Sequence, residues 1–131
     1  MSDPITRITT EAAPSPAGHY SQATAWNGLV FASGQLGVRP DGTHSFDASF
    51  EEQARQAIEN VLAVLRAAGC GPEGILRVTA YIVGADKWPE FNQIYASMFD
   101  GVKPARTVVP VPELHHGYLV EIDAIGVRGA S

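Results

Sequence analysis

Two short stretches near the C-terminus carry a charge where a strand would otherwise be apolar. Pro104-Ala105-Arg106-Thr107 leads into Val108-Val109, and Leu119-Val120-Glu121-Ile122-Asp123 sets a carboxylate between two branched aliphatic residues. A guanidinium is a rigid fork of donors that stays protonated, so Arg106 suits a small carboxylate held through two parallel hydrogen bonds. A carboxyl group in partly dry surroundings, such as Glu121, can take a proton from water and return it. Paired, the two residues describe a pocket that grips a small acid and does water chemistry beside it. Each also has a plainer reading: Arg106 as a strand-end arginine paired with a surface carboxylate, Glu121 as a carboxylate solvated on an uncovered sheet face.

The remaining polar candidates are weaker. His115-His116 is the one histidine pair in the chain, and adjacent residues on a strand or turn point apart. No His-x-His or His-x-x-x-His spacing occurs, so a metal site is not expected and a surface loop is preferred. His19 beside Tyr20 fits either a pocket mouth or an ordinary loop. Ser33-Gly34-Gln35 ends a strand with a small hydroxyl and a glycine, which would let backbone donors approach a ligand or simply turn the chain. The single cysteine, Cys70, rules out an internal disulfide and a cysteine-based zinc site, and it lacks an activating neighbour in sequence. No Gly-x-Gly-x-x-Gly, phosphate loop or Gly-x-Ser-x-Gly elbow is present, so nucleotide cofactors and a serine triad are not expected.

These residues must be carried by a scaffold, and the hydrophobic pattern outlines it. Asn27-Gly28 between Ser21–Ala25 and Leu29–Ser33 signals a hairpin. Ser49 followed by Glu52 is a capping-box pattern, after which Phe50, Ala54, Ala57, Ile58, Val61, Leu62, Leu65 and Ala68 recur at helical spacing up to Gly69. Residues 75–83 are rich in branched and aromatic types and read as a strand. Asp86 is expected to cap a second helix, with Pro89 in its first turn and Trp88, Phe91, Tyr95 and Met98 as its buried stripe. Strands over roughly 106–111 and 119–127 follow. Pro110 and Pro112 remove two donors from one edge, so the former strand should pair on one side only or end near Pro110. The order β-β-α-β-α-β-β is an α+β domain with two helices on one face of a mixed sheet. In the last strand Val120, Ile122 and Ala124 share one face, Leu119, Glu121, Asp123 and Ile125 the other. Two helices cover one face only, so the second should meet a partner subunit.

Composition sets the outer limits. With 131 residues the chain is expected to form one domain over 1–131. Nine basic residues against fourteen acidic give a net charge of −5, without any basic run, which argues against nucleic acid as a partner. No apolar run reaches membrane-spanning length and no signal segment is apparent, so a cytoplasmic protein without a membrane partner is expected.

Six segments, in order, resemble the Rid/YjgF family of reactive-intermediate deaminases: residues 18–23 (Gly-His-Tyr-Ser-Gln-Ala), 31–35 (Phe-Ala-Ser-Gly-Gln), the helix with Gln53-Ala54-Arg55-Gln56 and Glu59-Asn60, 91–95 (Phe-Asn-Gln-Ile-Tyr), 104–107 and 119–125. The resemblance implies a chorismate-mutase-like fold, a homotrimer with ligand clefts between subunits, and hydrolysis of small 2-imino or enamine acids, such as 2-aminoacrylate, without metal or organic cofactor. It implies Arg106 as the carboxylate anchor and Glu121 as the residue associated with the hydrolytic water. Tyr20, Ser33, Gly34, Asn92, Thr107 and Val108 would line or support the cleft. Family members often carry cysteine where this chain has Val108, a change of pocket shape and polarity. Two alternatives stand beside hydrolysis: a non-catalytic trimer that binds small carboxylates or protects proteins, and a ribonuclease-like activity.

Overall fold

Helix α1 (Phe50–Ala67) starts where the Ser49 hydroxyl accepts the Glu52 amide and stops at a glycine in the left-handed region. Cys70 N–H bonds the Leu65 carbonyl and Gly69 N–H that of Arg66, which closes the helix as a Schellman motif. The apolar stripe expected for this helix is buried except for Leu62, which is partly exposed and packs at its edge, and two amides, Gln53 and Asn60, are buried among it. The computed structural model describes residues 4–129, so residues 1–3 and 130–131 of the expected single domain lie outside it.

Among the described residues six strands form one mixed sheet: β1 (Thr6–Ile8), β2 (Ala23–Trp26), β3 (Leu29–Leu36), β4 (Ile75–Val83), β5 (Ala105–Val111) and β6 (Val120–Val127). Their spatial order is β1-β2-β3-β6-β4-β5, antiparallel throughout except for the parallel pair β4–β5. Strand β1 adds a short edge to the expected order. The β2–β3 turn is built on Asn27 and Gly28, both at positive φ, as a tight hairpin of this hand requires. Strand β5 pairs on one side only and forms the opposite edge, as its prolines require.

Helix α2 (Trp88–Phe99) lies with α1 over one face. Its start differs from expectation. Asp86 sits in a 3-10 turn (Ala85–Lys87), and the helix begins after Lys87 with no side-chain cap, Pro89 supplying the fixed φ of a first turn. Its buried stripe is Phe91, Ile94, Tyr95 and Phe99; Trp88 is 45% exposed and Met98 only packs against the core from its edge. Trp88 is the first helical residue, too near the end to reach the core.

The sheet alternates as the pleat demands. Val120, Ile122 and Ala124 are buried under the helices beside Val78, Ala80 and Ile82. The face without helices carries Trp26, Phe31 and Ile125 together with Tyr81, Glu121 and Asp123. Gly126 is pressed against Cys70, whose burial pushes the thiol up and disfavours thiolate.

Candidate active site

Glu121 owes its surroundings to an irregularity in β3. Ala32 pairs Ala124 and Gln35 pairs Ile122, so Ser33 and Gly34 together oppose the single residue Asp123. Two against one is a β-bulge, which bends the strand and takes side chains out of the regular alternation. A Cβ on Gly34 would stand 2.9 Å from Glu121 Oε2, so the missing side chain is the space the carboxylate occupies. No hydrogen bond or ion pair engages the Glu121 carboxylate among the described residues. Burial pushes its carboxyl above the ordinary carboxylate range, a positive charge on His115 opposes this, and Asp123 adds to it. A carboxyl group moved towards neutrality is better suited to accept and return a proton.

Around it lies a pocket of about 770 Å³ whose lining includes Tyr20, Ser33, Gly34 and Glu121. Ser33 is fixed at both ends: its N–H donates to the Gln22 carbonyl and its hydroxyl to that of Ser21, at 2.6 Å. Tyr20 is half exposed, its hydroxyl accepting the Ala17 N–H at 3.4 Å. His19 is not part of the lining.

Residues without an assigned part in the sequence reading build much of this pocket. Buried Gln22 accepts the Thr10 N–H and donates to the carbonyls of Thr10 and Pro14, which ties the loop carrying Pro14 to the sheet. Gln53 does the same from α1, accepting the Leu119 N–H at 2.8 Å and donating to the Phe46 and Ala48 carbonyls. Both sit in segments that carry the resemblance, and Gln53 is further marked by its place beside the apolar stripe of α1. His115 and His116 are exposed on a short turn, as a surface loop would have them, yet they line the pocket beside Glu121, with His44.

Arg106 belongs to a different locality. In the parallel ladder it pairs Val78, whose side chain is buried beneath the helices, so Arg106 leaves the sheet on the helix side. Its guanidinium lies 4.7 Å from the centre of the Tyr95 ring and 5.9 Å from that of Trp88. No hydrogen bond or ion pair engages it among the described residues, which removes the plainer reading of a surface pair and leaves its donor fork free. The Tyr95 hydroxyl is buried without a partner among the described residues, and burial pushes it up to about 12, with Arg106 opposing. It stays a neutral phenol whose face receives the cation. Asn92 lies four residues from Trp88 and three from Tyr95 on the same side of α2, and Val108 packs on the same side as Arg106. Thr107 points to the other face, where its hydroxyl accepts from Arg77 at 2.7 Å.

One chain therefore gathers Tyr20, Ser33, Gly34 and Glu121 in one place and Arg106, Asn92 and Val108 in another. Glu121 pairs Tyr81 and Arg106 pairs Val78, so the two lie two strands apart and three residues out of step. With ordinary strand spacing and rise their Cα atoms are about 14 Å apart, with side chains on opposite faces. A three-carbon acid cannot bridge them within one copy. Among the described residues no group of three or more His, Cys, Asp or Glu side chains could hold a metal ion, and no helix is long and apolar enough to cross a membrane.

Comparison with known proteins bears on this arrangement. The family model described as Endoribonuclease L-PSP matches residues 10–128. A RutC family protein of Aquifex aeolicus is 44% identical, covering 92% of this chain and 98% of its own. The 2-iminobutanoate/2-iminopropanoate deaminase of Mus musculus is 35% identical over 93% of this chain and 90% of its own. Among solved structures, E. coli TdcF with bound serine superposes with a TM-score of 0.88 at 34% identity, covering 95% of this chain and 99% of that one.

Proposed function

We propose that this chain, which belongs to the Rid/YjgF family, hydrolyses small 2-imino acids and their enamine tautomers to 2-keto acids and ammonia, at a site completed by a second copy of itself. The observation that carries the reading is the unpaired state of both charged groups. Arg106 has a free donor fork on an aromatic bed, and Glu121 has a free carboxylate in a glycine-cleared space. Their separation in one copy calls for a neighbour, and the helix-free face with Trp26 and Phe31 supplies an apolar surface against which one can pack. Closed cyclic assemblies are the usual form of such contacts, and a homotrimer is the form adopted in this proposal. A cytoplasmic setting belongs to the same reading.

In the proposed reaction Arg106 of one copy holds the substrate carboxylate through two hydrogen bonds and so fixes C2. Glu121 of the neighbour accepts a proton from water as its oxygen bonds to C2 and passes that proton to the nitrogen, giving a carbinolamine. The same carboxyl then carries the carbinolamine hydroxyl proton to nitrogen as the C–N bond breaks and the C=O bond forms, and ammonia and the keto acid leave. Ser33, Gly34 and Tyr20 shape the space around C2, and Asn92 and Val108 that around the carboxylate. Imines hydrolyse readily in water, so positioning and proton transfer are sufficient for a useful rate gain. The −5 charge of the chain gives no electrostatic footprint for RNA, which disfavours the nuclease that the family description mentions.

The test generates 2-iminopropanoate in situ with an amino-acid oxidase and follows keto-acid release above the spontaneous rate. Arg106→Ala should lose most of the gain in kcat/KM, and Glu121→Ala should lose kcat while still binding a small carboxylate. Equal acceleration by wild type and Arg106→Ala would reject the proposal. Retained turnover in Glu121→Ala would leave a carboxylate-binding protein whose rate gain needs another source.

A further inference from the structure

The pocket beside Glu121, as one copy presents it to the neighbour that brings Arg106, runs from the carboxylate out to the loops carrying Asp41, His44 and His116. At about 770 Å³ it falls within the roughly 300–1,000 Å³ of sites that enclose drug-sized molecules, whereas a three-carbon imine is a fraction of that. Part of its wall is a built aromatic cluster. The rings of His44 and His116 lie 4.9 Å apart, and His44 is 5.4 Å from Phe46 and 5.8 Å from Tyr118.

The cluster is held in advance of any ligand. Tyr118 is fully buried, and its hydroxyl oxygen accepts the Ser45 N–H at 3.0 Å. The same hydroxyl lies 2.9 Å from His44 Nδ1, a hydrogen bond that sets the orientation of the imidazole ring. His116 adopts φ 60, ψ 14, an uncommon backbone for a residue other than glycine, and this turn brings its ring against His44. Outliers of this kind persist where the surrounding structure insists on them, and they concentrate at ligand sites.

The chemistry of the lining decides what the wall would recognise. Asp41 is held in its charged form by hydrogen bonds from Thr43, and Glu121 supplies a second carboxylate. A substrate side chain bearing a further acid would meet both. Leu36 and Val38 add apolar surface, and the imidazole faces favour a flat ring. We infer that His44 and His116 wall a side-chain subsite, and that the preferred substrates are 2-imino acids carrying a planar aromatic side chain without a further acid group. This rests on the deaminase reading for the word substrate; the subsite itself does not.

Calorimetric titration of the full protein with 3-phenylpropanoate and with propanoate tests the subsite without turnover. The aromatic acid should bind about ten-fold more tightly, the gain expected of one good aromatic contact with its ring burial. His116→Gly, which suits that backbone, and independently His44→Ala, should each bring the affinity ratio down towards one. Equal affinities in the wild type, or an unchanged ratio in both variants, would overturn the inference. In a parallel arm, imines derived from phenylalanine and alanine are supplied by the oxidase. Turnover of the alanine imine with no aromatic preference would overturn the subsite and leave the deaminase reading standing. Aromatic binding lost in both variants, with no turnover of either imine, would support the subsite and reject the deaminase reading.

Discussion

Replacing Gly34 by alanine separates catalysis from stability more cleanly than any change to Glu121 itself. The added Cβ would stand 2.9 Å from Glu121 Oε2, 3.1 Å from Cδ and 3.3 Å from Cγ, all atoms of one flexible side chain. Ordinary contact begins near 3.4 Å, so the carboxylate must retreat by about 0.5 Å. Gly34 is not at positive φ, so alanine fits its backbone, and the lost freedom of the unfolded chain favours the folded state by about 0.4–1 kcal/mol. The melting temperature should therefore hold or rise slightly. A misplacement of 1 Å at a reacting centre costs roughly 100-fold, and half that distance on a logarithmic scale costs about ten-fold in kcat. The assay is steady-state turnover of 2-iminopropanoate, with thermal melts of both proteins alongside. A variant with unchanged kcat would refute the idea that the position of the Glu121 carboxylate sets the rate. A variant that loses kcat only in proportion to lost folded protein would refute the claim that the clash is local.

Glu121→Gln should melt higher than the wild type at neutral pH. Burial raises the folded carboxyl above its unfolded value, so its contribution to stability is present at low pH and lost as pH rises through the folded pKa. The gap should accordingly close on acidification, and melts between pH 4 and 8 report it; a gap that widens towards acid would contradict the sign. Gly126→Ala should cost about 1–3 kcal/mol, because its Cβ would drive into Cys70 Sγ and approach the Gly74 carbonyl at 3.2 Å. Denaturant titration measures this, and adding Cys70→Ala should recover part of the loss.

Local signals in the sequence carry much of this architecture. The Ser49 cap, the Gly69 stop and the Asn27-Gly28 turn each act through their own backbone, and each is realised. The alternation of β6 is equally local, so the face shared by Val120, Ile122 and Ala124 could be read directly. Strand β1, at three residues, is too short for a periodic signal. The separation of Arg106 from Glu121 was not legible, because it depends on β5 pairing β4 in parallel with Arg106 opposite Val78. Trp88 looked like core because aromatic character marks burial, but a helix's first residue lies at the rim, and its ring meets Arg106 instead. His44 joins His116 across more than seventy residues, a contact that only the folded loops create.

The most direct test of a site shared between copies mixes two damaged chains. Arg106→Ala and Glu121→Ala proteins, each inactive alone, are unfolded together, refolded in equal amounts and assayed against 2-iminopropanoate. If every site takes its arginine from one copy and its glutamate from the next, random mixing leaves about a quarter of the sites intact, and turnover should recover to that level. No recovery from a mixture that has demonstrably co-assembled would contradict the account.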